Sequence, residues 1–169
     1  MTGRAWVFGD DVDTDALAPG AFMAAPVDVL AAHCLTALNP DFAREVRPGD
    51  IVIAGRNFGA GSSREQAAEA LKHLGVRAVV ALSFAGIFYR NAFNLGLPLV
   101  VCPDIGGISA GDRLSLDAAT GIGRNETTGA DISCEPVPAH LMAMVRDGGL
   151  IAQLAKRFSG EEAGRSHDH

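Results

Sequence analysis

The chain has 169 residues, 48% of them hydrophobic and 20% charged, with a formal net charge of −6 and a sequence pI of about 5.2. That length points to one domain, which at this size buries roughly 70% of its unfolded surface and needs no disulfide staple. The acidic balance, with no Lys/Arg run, argues against nucleic acid or an anionic membrane as partner. Neither a basic, apolar leader nor an 18-residue apolar window is present, so the expectation is a cytoplasmic protein with no membrane span.

The segment Arg4–Gly9 reads as a short strand, followed by the loop DDVDTDALAPG. Pro26–Leu35 has helical spacing, with Pro26 suited to a first turn. Arg47–Asp50 is a turn. The unbroken β-branched run Ile51–Gly55 is a buried strand. Ser63–Gly75 reads as a helix ended by Gly75. Arg77–Leu82 is a second buried strand, Ser83–Gly96 a second helix and Leu97–Cys102 a third strand. This alternation specifies a parallel βαβαβ unit. Beyond Gly106, short alternating segments predict small antiparallel strands. Two short helices parted at Gly148–Gly149 then close the chain. The expected division is one α/β domain over residues 1–158 and a flexible polar tail over 159–169.

Cys34, Cys102 and Cys134 are odd in number and far apart, which predicts buried thiols in a reducing compartment rather than a disulfide framework or metal knuckle. Four aspartates crowd the loop after the first strand, but the EF-hand glycine and terminal glutamate are missing. The densest chemistry lies in GAGSSREQ, Gly59–Gln66, between the buried strand and the first long helix. Ser62 with Glu65, or Ser63 with Gln66, fits a capping box. Capping needs only one hydroxyl, which leaves the other free. Gly59 and Gly61 allow close backbone approach, the helix end favours an anion, and Arg64 offers a fork for a carboxylate. Together these suit a carboxylate or phosphate receptor. A Walker lysine and the third glycine of a dinucleotide fingerprint are both missing.

The stretch GRNFGAGSSREQAAEALKHLGVRAVVALSFAGIFYRNAFNLGLPLV resembles the small, swivelling subunits of the aconitase superfamily, the 3-isopropylmalate dehydratase small subunits nearest among them. GDDVDTDALAPG, GRNETTG and GGLIAQL extend the resemblance over residues 4–157. It implies a three-layer β/β/α swivelling domain with a mainly parallel βαβαβ core and a smaller antiparallel β layer. It also implies a hydro-lyase subunit that interconverts 2- and 3-isopropylmalate by dehydration and rehydration in leucine biosynthesis. A [4Fe-4S] cluster is expected on a separate large subunit, in a heterodimer or heterotetramer, with none of the three cysteines here among its ligands. The chain alone is then expected to be inactive. By the same resemblance Ser62 is the base that removes the proton α to a carboxylate, and Asp15 is a catalytic-site aspartate. Ser63 and Arg64 would hold the substrate.

Two departures bear on specificity. Gln66 stands where the family usually has histidine. By the same resemblance the stretch that reads the substrate side group is GAFMAAPV, and Phe22, Met23, Ala24 and Ala25 carry no cation. An apolar loop suits an isopropyl group, since each buried CH₂ contributes about 0.8 kcal/mol. Alternatives are a small subunit of a 2,3-dimethylmalate dehydratase or homoaconitase type, or a non-enzymatic dicarboxylate-binding module.

Overall fold

The computed structural model describes residues 1–165, and side chains through residue 160. Seven strands form one sheet: β1 (Thr2–Val7), β2 (Ile51–Ala54), β3 (Ala78–Ala81), β4 (Leu99–Val101), β5 (Arg113–Asp117), β6 (Ile122–Asn125) and β7 (Asp131–Ser133). Their order is β4-β3-β2-β1-β5-β6-β7. The parallel βαβαβ unit and the smaller antiparallel layer are both present, and β1 joins them. Its first residues pair antiparallel with β5 (Thr2↔Ser115, Arg4↔Arg113), its last parallel with β2 (Ala5↔Ile51, Val7↔Ile53). The sheet curls until its two outer edges touch: Glu135 N–H, just past β7, donates to the Val101 carbonyl of β4 at 2.8 Å.

The helices are α1 (Thr14–Leu17), α2 (Val27–Ala31), α3 (Phe42–Glu45), α4 (Glu65–His73), α5 (Gly86–Asn94), α6 (Ala139–Asp147) and α7 (Leu150–Arg165). Several bounds differ from those the sequence suggests. The loop after β1 contains α1, capped by Asp13, whose Oδ1 accepts from Ala16 N–H at 2.8 Å. The long helix expected over Pro26–Leu35 stops at Ala31 and gives way to turns. Helix α7 runs from Leu150 to Arg165, and residues 166–169, part of the expected tail, lie outside the described residues.

Strands β2 and β3 are buried at every position, so both sheet faces are covered there. Ala67, Ala68, Ala70 and Leu71 of α4, with Phe88, Ala92 and Phe93 of α5, are buried in the same core. Phe42, Phe58, Phe88 and Phe93 are among its largest fully buried side chains, each contributing about 1.5–3 kcal/mol by burial. Among the described residues, no helix is long and apolar enough to cross a membrane.

Candidate functional site

In open parallel sheets, ligands bind beyond the carboxyl ends of the strands. Here those ends are stitched into one platform. Gly59 N–H donates to the Val12 carbonyl at 2.7 Å and Thr14 N–H to the Ala60 carbonyl at 2.8 Å, tying the loop after β2 to the loop after β1. Asn57 N–H donates to Ser83 Oγ at 2.8 Å, and Phe58 and Phe84 form an isolated parallel bridge, which adds the loop after β3.

The glycines shape the middle loop. Gly59 (φ +85°) lies against the Phe88 ring, which a Cβ there would overlap. Gly61 (φ +104°) passes Thr14 so closely that a Cβ would meet Thr14 Oγ1 at 3.1 Å. Only glycine adopts such conformations without strain. The chain therefore emerges with Ser62 and Ser63 exposed and Ser62 Oγ 3.4 Å from Oγ1 of buried Thr14.

The capping expectation is corrected. Helix α4 starts at Glu65, its N-cap is Arg64, and no side chain caps it. Ser62 and Ser63 fall two and one residues too early, because the glycine-shaped loop holds Ser62 against Thr14 of α1. Both hydroxyls are thus spare, and the first N–H groups of α4 lack a side-chain cap, which strengthens the anion-receiving character of the helix end.

Asp15 and Arg64, 49 residues apart in the chain, meet here. Arg64 Nη1 donates to Asp15 Oδ1 at 3.0 Å and to the Ala18 carbonyl at 3.0 Å. Asp15 Oδ1 also accepts from Gly20 N–H at 3.1 Å. The Arg64 hydrogen bond, followed by the Gly20 N–H, holds the Asp15 carboxyl below its ordinary value of 3.8. Both described Arg64 bonds leave from Nη1, so the guanidinium keeps further donors for a planar anion. The Arg64 side chain is 26% exposed and that of Asp15 68%, so the pair lies on an open face.

Phe22 ends a short 3₁₀ turn, Gly20–Phe22, and stacks on His33 with ring centroids 3.7 Å apart and planes 6° from parallel. Phe22 and Met23 are half-buried against the core and Ala24 is exposed. The turn adjoins Asp15 through the Gly20 N–H. Sequence reasoning missed Thr14, the Ala18 carbonyl and His33 as parts of this neighbourhood. Thr14 stands between the aspartates of DVDTDAL, but nothing local marks it as the residue facing Ser62. Gln66 is half-buried in the first turn of α4.

The expectation of buried thiols holds for all three cysteines. Cys34 lies in the turns after α2, whereas Cys102 and Cys134 sit where the sheet edges meet. Among the described residues no three His, Cys, Asp or Glu side chains converge as metal ligands. The cysteines of this chain do not fit an iron–sulfur cluster. A cavity of about 800 Å³ lies at the far end of the strands, lined by Met1, Arg77, Leu97 and Met142 among others. It includes none of Ser62, Arg64 and Asp15.

Residues 36–103 match the aconitase C-terminal domain family. The 3-isopropylmalate dehydratase small subunit 2 of Archaeoglobus fulgidus is 46% identical over 92% of this chain and 95% of its own. The chain belongs to the 3-isopropylmalate dehydratase small-subunit family. Within that family the small subunit of Methanosarcina mazei is 48% identical over 94% of this chain and 99% of its own. The methanogen homoaconitase small subunit of Methanothermobacter thermautotrophicus is 46% identical over 96% and 97%. The crystal structure of 3-isopropylmalate dehydratase from Methanocaldococcus jannaschii superposes with a TM-score of 0.91, covering 96% of this chain and 98% of that one at 40% identity.

Proposed function

We propose that this chain is the small subunit of a hydro-lyase that interconverts 2- and 3-isopropylmalate, completing an active site whose iron–sulfur cluster is carried by a large subunit. The observation that carries the reading is the joining of Ser62, Arg64 and Asp15 on one open face at the carboxyl end of the parallel strands. An open half-site suits completion by a second protein.

In this reading Arg64 binds a substrate carboxylate with the donors that Asp15 and Ala18 leave free. Asp15, kept ionised by Arg64 and the Gly20 N–H, holds the guanidinium in register. The Ser62 oxygen takes the proton α to that carboxylate. A serine alkoxide is a costly base, and the neighbouring guanidinium and the uncapped N–H groups of α4 are the stabilising groups within reach of that loop. Thr14 Oγ1, 3.4 Å from Ser62 Oγ, fixes the hydroxyl's direction. Ser63 presents its backbone and hydroxyl to the same anion. Phe22, Met23, Ala24 and Ala25 form the apolar wall against the alkyl group.

The substrate follows from that wall. A second carboxylate arm calls for a cation, and residues 20–27 hold none. A homoaconitase-type small subunit is just as similar in sequence as the isopropylmalate relatives, so the loop chemistry is what favours the branched alkyl substrate.

The test is turnover. The chain is co-expressed with its large subunit, the cluster is reconstituted anaerobically, and alkene absorbance is followed with 2-isopropylmalate, homocitrate and 2,3-dimethylmalate. Preference for 2-isopropylmalate is the expected result. Preference for either other substrate keeps the mechanism and overturns the substrate. Turnover of none, with a verified cluster, overturns the hydro-lyase reading and leaves a dicarboxylate-binding module. Calorimetry with the isolated chain then tests that module.

A further inference from the structure

We propose that Cys102 and Cys134 form a reversible intramolecular disulfide that fastens the two outer edges of the sheet to each other. The pair has no part in the chemistry of the Ser62 face. Cys102 directly follows β4 and Cys134 directly follows β7, the first and last strands of the sheet order. In a flat sheet of seven strands these positions would lie far apart. The curl brings them to neighbouring positions: the Cys102 thiol lies 3.6 Å from the carbonyl of Ser133, the residue just before Cys134.

The backbone already holds the two cysteines in place from both sides. Glu135 N–H bonds the Val101 carbonyl at 2.8 Å, one residue from each cysteine, and Cys134 N–H bonds the Gly121 carbonyl at 2.8 Å. Cys102 Sγ lies 3.6 Å from the Ser133 carbonyl and 3.3 Å from that of Asp104. A bond between the sulfurs therefore joins two backbone segments that are already held side by side. The proximity of the two thiols lowers the Cys102 pKa and raises that of Cys134, which favours Cys102 as the attacking sulfur. Cys34, buried with no such partner, has its thiol pushed up by burial.

The oxidant class is a hydroperoxide. The Cys102 thiolate attacks the peroxide, the O–O bond breaks, and a sulfenic acid and hydroxide form. The hydroxide takes the Cys134 proton and leaves as water. The Cys134 thiolate then attacks the Cys102 sulfur, breaks its S–O bond and expels hydroxide. Two thiol sulfurs are oxidised and one peroxide is reduced. Both cysteines are buried, Cys102 fully and Cys134 to 8% exposure, so the oxidant enters past Cys134.

The test uses the folded full chain treated with one equivalent of hydrogen peroxide, alkylated in denaturant and digested with trypsin. Cleavage at Arg90, Arg113, Arg124 and Arg146 places Cys102 in residues 91–113 and Cys134 in 125–146. The expected product is these two peptides joined, released by dithiothreitol, and accompanied by a raised melting temperature of the oxidised chain. Cys34→Ala leaves the cross-link intact and Cys134→Ala abolishes it. Recovery of both peptides unlinked, whether alkylated or as sulfinic acids, overturns the proposal. So does a cross-link found only between two chains. The wild-type peptide map decides the matter even if a cysteine variant fails to fold.

Discussion

Strands β2 and β3 are buried at every residue, whereas β5 and β7 alternate buried with exposed positions. The two halves of the sheet thus meet solvent differently. The parallel half is covered on both faces, so its strands reach the surface through the loops at their ends, and the candidate chemistry sits there. The antiparallel half keeps one wet face and holds its turns by local polar bonds. Asn125, 1% exposed, donates to Asp112 Oδ2 at 2.8 Å and the Gly107 carbonyl at 3.2 Å, and accepts from Thr127 and Thr128 N–H groups. One half ends in loops stitched into an open platform; the other ties itself together.

Substitutions in the two halves sharpen that contrast. The largest expected effect is Ser62→Ala, which in the assembled enzyme lowers kcat by about 10³-fold, the scale of a lost general base, with no change in the circular dichroism of the chain. A residual rate near wild type would make Ser62 a wall residue instead. Next is Phe88→Ala. It removes a fully buried ring whose centroid lies 5.3 Å from that of Phe58, and it lowers unfolding stability by about 3–5 kcal/mol in denaturant titration. Gly59→Ala reaches the same contact from the loop side and costs about 3 kcal/mol through overlap with Phe88 and a φ of +85°.

In the antiparallel half, Asn125→Ala strips the turns of their shared partner and costs about 2 kcal/mol, with turnover largely kept. If it abolished turnover while the fold persisted, the division of labour between the halves would fail. The smallest effect on the fold is electrostatic. Arg64→Ala removes the first cause of the lowered Asp15 pKa, so the Asp15 carboxyl signal, followed by NMR, titrates at higher pH than in the wild type. The sign follows from the lowered folded-state value. The pair's contribution is present at pH above the ordinary value of 3.8 and is lost as pH falls through the lower folded value. Because Asp15 is exposed, the melting temperature of the variant at neutral pH stays near that of wild type, while KM rises.

Much of the parallel half was legible because a strand buried on both faces writes an unbroken apolar run. Ile51–Ala54 and Ala78–Ala81 are such runs. The helix ends were legible at Gly75 and Gly96, which take φ of +84° and +80°. The helix start at Ser62–Glu65 was read one or two residues early. Capping propensity is a local preference, and here the bonds of Gly59 and Thr14 to the neighbouring loops outweigh it. The helix expected to run to Leu35 failed for a similar reason. Its last turn is drawn down onto α1, where Leu35 N–H bonds the Ala16 carbonyl at 2.8 Å and Leu35 takes a φ of +60°.

The sequence alone determined the α/β class, the order of the parallel elements, the concentration of hydroxyls, glycines and Arg64 in GAGSSREQ and the apolar nature of the loop at Phe22–Ala25. Each is set by neighbours within a few residues or by a period that burial imposes. Tertiary structure alone decided three juxtapositions: Asp15 against Arg64, Phe22 against His33, and Cys102 against Cys134. These depend on loop closure across the sheet and on its curl, which arise from the summed packing of the whole chain and leave no mark in any single window of it.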